Sequence, residues 1–333
     1  MARRHLEVLG TAPSPRDDAP LPIIAELAQR AERHGVNGLL AFYNHRNLDP
    51  WAVAGAIMQH TTTLSPLTAL QPYAMPPFTA AKLIHAMTRL YGRRIDINLI
   101  TGAANEELGQ LGDTLDHDER YARAIEYTKV LRALLATDEP LSHDGRFYRY
   151  RGLRAHSWLP PEERPRVFVA GSSPASRLAA EEVGDVAITH PEPVDQFART
   201  FLDGSRTVRT GIRIGLLARD TDEEAWRVAH DRYQSDRRTR LKTAMRRKSD
   251  SDWSRRIATL SAEVHDDVYW TGAYQADRGS LPLLVGSHGR VADYLDRYLA
   301  LGVDTVLLGD LPTEEDFRHA GAVLSDVRKR VSV

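Results

Sequence analysis

Short apolar runs recur along this chain with helical stretches between them, and that rhythm restricts the fold more than any single motif. Leu6–Leu9, Gly38–Tyr43, Leu64–Leu70, Arg94–Gly102, Val167–Gly171, Val186–Thr189, Gly211–Ala218 and Thr305–Leu308 each read as a buried strand. Helices are expected over Ile23–His34, Pro50–His60, Pro77–Leu90, Asp116–Leu135, Pro174–Val183, just after Pro193, and over Glu314–Arg330. Eight such strands in alternation with helices predict an α/β fold, a (β/α)8 TIM barrel with insertions. A doubly wound sheet is the competing arrangement, but no Gly-x-Gly-x-x-Gly follows any of the strands.

Two stretches do not fit a plain barrel repeat. Asp138–Arg154, containing Asp144-Gly145, reads as a hairpin-like excursion. Asp220–Val285 is too long for one barrel connection, so residues 220–285 are expected to hold a lid inserted into a single domain spanning 1–333. That insertion carries a helix from Glu223 and a basic run from Arg237 to Lys248. The run has few interleaved aromatics and sits in a chain of net charge −1, which favours a solvated or anion-gathering helix over nucleic-acid binding. The absence of cysteine excludes disulfides, thiolate metal sites and cysteine nucleophiles. No segment approaches signal-peptide or membrane-span length, so a cytoplasmic protein without nucleic-acid or membrane partners is expected.

Polar residues at strand ends are where chemistry is expected. In Arg94–Gly102, Ile95, Ile97 and Leu99 share one face and Asp96, Asn98 and Ile100 the other, so buried polar groups there need partners. Asp116 is a good N-cap, with Glu119 placed for a capping box, and His117 and Tyr121 stand at i, i+4 near the helix start. In Gly171-Ser172-Ser173-Pro174 a strand ends in glycine, two hydroxyls follow, and proline suits the first helical position. Free N–H groups and the helix dipole there suit a phosphate; the plainer alternative is a serine cap and nothing more. Metal ligation has little support, because His117 with its acidic neighbours is a capped helix start.

Asn98-Leu-Ile-Thr-Gly102, Leu115-Asp-His-Asp-Glu-Arg-Tyr121, Val169-Ala-Gly-Ser-Ser173, Gly211-Ile-Arg213 and Leu301-Gly-Val-Asp304 run in one order across nearly the whole chain. In this the sequence resembles the bacterial luciferase-like monooxygenases, most closely the alkanesulfonate monooxygenase branch. The resemblance implies a two-component enzyme that takes reduced flavin mononucleotide (FMNH2) from a separate flavin reductase and uses O2 on a small, anionic organic substrate. By position, Asn98, Thr101, His117 and Tyr121 would contact the flavin, Gly171, Ser172 and Ser173 its phosphate, and Ala41 and Gln71 its ring. Arg213 and Arg278 match the family's two arginines for an anionic head group.

The substrate side departs from that branch. Asn47 stands in place of a cysteine, His190 in place of a tryptophan, Gly215 in place of a histidine, and Leu311 near a tyrosine position. The substrate is therefore expected to have diverged, with His190, His45 and Tyr43 lining a pocket for a carboxylate-bearing or amine compound. A deazaflavin-dependent hydride-transfer enzyme of the same fold and a non-catalytic flavin-binding barrel are the alternatives. Homodimers or homotetramers are what the family implies.

Overall fold

The computed structural model of the protein describes residues 6–13, 19–102, 105–201, 207–234, 256–257, 260, 263–275, 281–309 and 311–331. The first half of the chain runs β1 (Glu7–Thr11), α1 (Pro20–Arg33), β2 (Gly38–Ala41), α2 (Pro50–His60), β3 (Ser65–Leu70), α3 (Pro77–Tyr91), β4 (Asp96–Leu99), α4 (Asn105–Gln110), α5 (His117–Ala136), β5 (Leu141–Asp144) and β6 (Arg149–Leu153). The second half runs β7 (Val167–Ala170), α6 (Pro174–Val183), β8 (Val186–Thr189), α7 (Val194–Thr200), β9 (Arg209–Arg219), α8 (Asp222–Arg232), β10 (Val264–His265), β11 (Tyr269–Trp270), α9 (Gly272–Gln275), β12 (Leu283–Ser287), α10 (His288–Ala300), β13 (Val303–Gly309) and α11 (Glu314–Val331). The eight expected strands are β1, β2, β3, β4, β7, β8, β9 and β13, and the chain has the (β/α)8 barrel fold. Among the described residues no helix is long and apolar enough to cross a membrane.

The chain divides into two compact units. One comprises Ala12–Gln29 and Gly38–Ala187. Here β2, β3, β4 and β7 pair in parallel, with Leu40 opposite Leu67, Ala69 opposite Asn98 and Leu99 opposite Val169. Leu39, Leu40, Leu67, Leu70, Ile95, Ile97, Leu99 and Val167 are all buried, each contributing about 1.5–3 kcal/mol against exposure. Asp96 is buried too, and its partners are structural. Its carboxylate accepts from Arg94 Nε at 2.8 Å, the Arg166 backbone N–H at 2.9 Å and Arg166 Nη2 at 2.6 Å. That ion pair fastens the start of β4 to the start of β7.

Helix α5 opens on the expected capping box: Glu119 N–H donates to Asp116 Oδ1 at 2.8 Å and Asp116 N–H to Glu119 Oε2 at 3.2 Å. Its buried face is broad. Ala124, Tyr127, Val130 and Leu134 join Tyr121, Thr128, Leu131 and Leu135, while Ile125 is only half-buried. The expected hairpin exists as β5 and β6, with His143 opposite Tyr150. It hangs from α5 by the Glu126 carboxylate, which meets His143 Nε2 at 3.0 Å and the Tyr148 N–H at 2.8 Å.

The other unit comprises Met1–Thr11, Arg30–Asn37 and Ile188–Val333. β13 lies parallel to both β1 and the first half of β9. Arg209 joins the three strands at their starts, donating to Asp304 Oδ2 at 2.9 Å and Glu7 Oε2 at 3.1 Å. β9 is longer than expected because its last residue is charged yet buried. Arg219 pairs with Asp316 at 2.9 Å, and Arg232 reaches the same carboxylate at 3.1 Å.

The expected insertion is part of this unit. The expected helix from Glu223 is α8, and beyond it the described residues hold the antiparallel pair β10–β11. They also hold β12, which extends the sheet in parallel along the second half of β9, Leu283 opposite Gly215. Trp270, Leu283, Val285, Ala225, Ala229 and Tyr233 form an apolar cluster beneath α8. The basic run from Arg237 to Lys248, and Arg278, lie outside the described residues.

Candidate active site

A buried polar cluster sits where β7 ends and α6 begins. Ser173 caps α6, accepting from the Ser176 N–H at 3.2 Å, and Pro174 occupies the first turn as the sequence implies. Ser176 Oγ in turn donates to the Ser173 carbonyl at 2.8 Å. Across from them Tyr121 is buried on α5 and donates its hydroxyl to the Ala170 carbonyl at 3.2 Å. Burial pushes that hydroxyl above the ordinary tyrosine value; bonds with the Thr101, Ser176 and Ser173 side chains work the other way. The hydroxyls of Thr101, Ser173 and Ser176 thus gather about that of Tyr121, and these four residues and Ser172 are all buried.

Gly171 fits among these hydroxyls only because it has no side chain. Its φ is +142°, and a Cβ there would lie 2.7 Å from both the Tyr121 hydroxyl and Ser176 Cβ. Bare backbone is the only solution that fits. His117, at the first position of α5, turns its ring edge to Tyr121 with centroids 5.1 Å apart, and its Nδ1 meets Asp118 Oδ1 at 2.7 Å. The structure therefore brings together Thr101, His117, Tyr121, Gly171, Ser172 and Ser173. Ser176 belongs with them although the sequence reading passed over it; the signal was the Ser-x-x-Ser spacing across the cap.

Three other expected residues stand at strand ends of the same unit. Asn98 is buried in β4, and Ala41 closes β2 beside an apolar concavity lined by Ala12, Pro13, Phe42, Leu48 and Val53. Gln71 follows β3 and is buried; its carbonyl accepts from the Ala74 N–H at 3.0 Å, while its side-chain Nε2 has no hydrogen-bond partner. Asn47 is half-buried in the turn after β2, where its N–H donates to the Asn44 carbonyl at 3.0 Å.

Arg213 and His190 form a separate pair in the other unit. Arg213 is half-buried in β9, opposite Leu307 of β13. His190 follows β8; part of its ring reaches the surface, but Nδ1 is enclosed. Burial, and then the positive charge of Arg213, hold the imidazole well below its ordinary pKa. It is neutral at working pH. The turn that follows is held by the insertion: Tyr269 donates to the Pro191 carbonyl at 2.8 Å, and Arg256 pairs with the fully buried Glu192 carboxylate. Gly215 explains a departure noted above. A Cβ there would strike Leu283, and one at its neighbour Gly309 would strike Leu281. Leucine side chains fill the space beside these two glycines.

These features define a class. The luciferase-like monooxygenase profile matches residues 5–305, and the chain belongs to that family. It is 43% identical over 312 residues to the 4-(gamma-L-glutamylamino)butanoyl-[BtrI acyl-carrier protein] monooxygenase BtrO of Niallia circulans, covering 92% of this chain and 91% of that protein. Among solved structures, EDTA monooxygenase (EmoA) from Chelativorans sp. BNC1 superposes with a TM-score of 0.71 at 18% identity, over 98% of this chain and 94% of its own. Riboflavin lyase (RcaE), with modified FMN and riboflavin, gives 0.74 at 18% identity, over 99% and 92%. The family is thereby established at large; the alkanesulfonate branch is not singled out.

Proposed function

We propose that this protein is a two-component monooxygenase that binds FMNH2 through the hydroxyl cluster and oxygenates an acyl group carried on an acyl-carrier protein. The observation that carries the flavin half is the Gly171 cradle. A phosphate oxygen needs donors and no steric neighbour, and the turn offers backbone N–H groups at a helix start with Thr101, Ser172, Ser173 and Tyr121 around them. His117, its Nδ1 tied to Asp118, would present Nε2 to the same phosphate. The orphaned Nε2 of Gln71 suits a carbonyl or ring nitrogen of the isoalloxazine. Reduced flavin with O2 supplies one oxygen atom to the substrate and leaves the other as water.

The substrate half rests on the 43% identity to BtrO. Arg213 would hold an anionic group of the acyl substrate, the neutral His190 beside it would donate or accept one hydrogen bond, and Asn47 would add a polar contact. Leu281 and Leu283 give the apolar wall an alkyl chain needs. Arg278 would be the second cation for the same group. Residues of the insertion over the turn after β8 would keep water from the reacting centre.

The test is mass analysis of the carrier protein after turnover with a flavin reductase, FMN and isotope-labelled O2. Aminoacyl groups are offered on the carrier, as free acids, and beside short alkanesulfonates. Uptake of one labelled oxygen by the carrier-bound acyl group supports the reading. Labelled product from the free acid or the sulfonate alone overturns the carrier-bound substrate. Turnover with a reduced deazaflavin and no oxygen uptake overturns the oxygenase.

A further inference from the structure

We propose that Asp220, His288 and His319 form a binding site for one divalent transition-metal ion of the zinc type, separate from every residue assigned to flavin or substrate. Asp220 follows the last residue of β9, His288 opens α10, and His319 lies in the second turn of α11. One ligand atom from each lies within 4.8 Å of the other two. His288 Nε2 and His319 Nδ1 face each other at 2.7 Å, and His288 Nδ1 is 3.8 Å from Asp220 Oδ1. Two imidazole nitrogens that close must share either a proton or a cation. Zinc–nitrogen bonds of about 2.0–2.1 Å place tetrahedral partners about 3.3 Å apart, so the rings need to open by only about 0.6 Å.

The surroundings suit a metal. His319 is 5% exposed, so its ring is held by the packing of α11, whereas the Asp220 side chain is 78% exposed and can swing onto an ion. The other nitrogen of His319, Nε2, faces Arg318 at 3.2 Å and the Glu315 carboxylate at 3.8 Å. With Nδ1 on the metal, Nε2 would keep the proton and point its N–H toward Glu315, the carboxylate–histidine–metal arrangement, once the exposed Arg318 side chain had turned away. The nearby Asp222 is committed elsewhere, accepting from the Ser287 N–H at 2.6 Å and pairing with Arg290. A His2Asp set leaves a fourth position for water, and imidazole ligands select zinc, nickel, cobalt or copper over magnesium or calcium. A bound ion would tie the end of β9 to α10 and α11.

The experiment is calorimetric titration of chelator-treated, untagged protein with zinc chloride, beside the visible absorption of a cobalt(II) adduct and the thermal midpoint. The expected result is one zinc per chain, a raised midpoint and a tetrahedral cobalt band. Asp220→Ala and His288→Gln should each weaken zinc by more than about tenfold, and Glu315→Gln by about tenfold. Asp220→Ala alters an exposed side chain, so it decides the matter even if His288→Gln fails to fold. No saturable uptake by the parent protein, or equal uptake by parent and Asp220→Ala, overturns the proposal. Neither result depends on flavin binding or turnover.

Discussion

The turn from β7 to α6 and the end of β8 with the middle of β9 place polar groups by different means. At the first, Gly171, Ser172, Ser173 and Ser176 are neighbours in sequence, and Thr101, His117 and Tyr121 come from farther away. Apart from His117 its components are uncharged hydroxyls and backbone, arranged about a helix cap. At the second, His190 follows one strand and Arg213 lies in another, and burial, with the cation's charge added, holds the imidazole neutral. A phosphate can be held by a short local motif that works in any member of a family. A substrate site assembled from distant charged residues changes whenever one of them changes. On the function proposed above, the cradle serves the flavin phosphate and the Arg213–His190 pair the substrate, the side on which residues 47, 190 and 215 depart from the branch the sequence resembles.

The sharpest way to break that contrast is Gly171→Val. It adds about 1–3 kcal/mol of backbone strain and a side chain directed at Tyr121 and Ser176. FMNH2 affinity, read by anaerobic fluorescence titration, should fall by up to about 100-fold. Arg213→Ala should act on the other side alone. Losing a charge-assisted contact worth about 1.5–3 kcal/mol raises KM for the acyl substrate about 10- to 100-fold and leaves flavin affinity unchanged. A parallel loss of flavin affinity would abolish the distinction.

The pH dependence of stability sharpens it further. His190 resists protonation when folded, so below about pH 6.5 the unfolded chain binds a proton that the folded chain refuses. Its contribution is complete above that pH. As the pH falls it is lost by at most about 1.4 kcal/mol per unit, until the depressed folded value is reached. Denaturant melts of the parent and His190→Gln between about pH 5 and 7 measure this, and the variant should lack that slope. The smallest effect is that of Ser173→Ala. Loss of the cap costs about 1 kcal/mol, and the hydroxyl contact goes with it, so flavin affinity drops about fivefold.

The barrel strands were legible because each is a short β-branched or leucine run punctuated by Gly, Pro or Asp, and the α5 and α6 caps because capping chemistry is local. What escaped were features decided by distant partners. β12 and α10 were missed because Leu281-Pro-Leu-Leu-Val-Gly has no period that distinguishes strand from loop; its role is set by β9. Arg219 ends a strand, fully buried, only because Asp316 lies 97 positions away to neutralise it. That Asp96 needed a partner was legible, but not that Arg94 and Arg166 supply it and make the pair a fastening for β4 and β7. Of the site, the cradle was readable in one stretch, whereas the neutral state of His190 depends first on its burial in the fold and then on a charge from another strand.

The most direct measurement compares FMNH2 with reduced riboflavin, which lacks only the phosphate, in anaerobic titrations of the parent protein and Ser173→Ala. If the β7–α6 turn holds the phosphate, the parent binds FMNH2 about tenfold or more tighter than reduced riboflavin, and Ser173→Ala narrows the gap. Equal affinity of the parent for both compounds would contradict the assignment of the cradle.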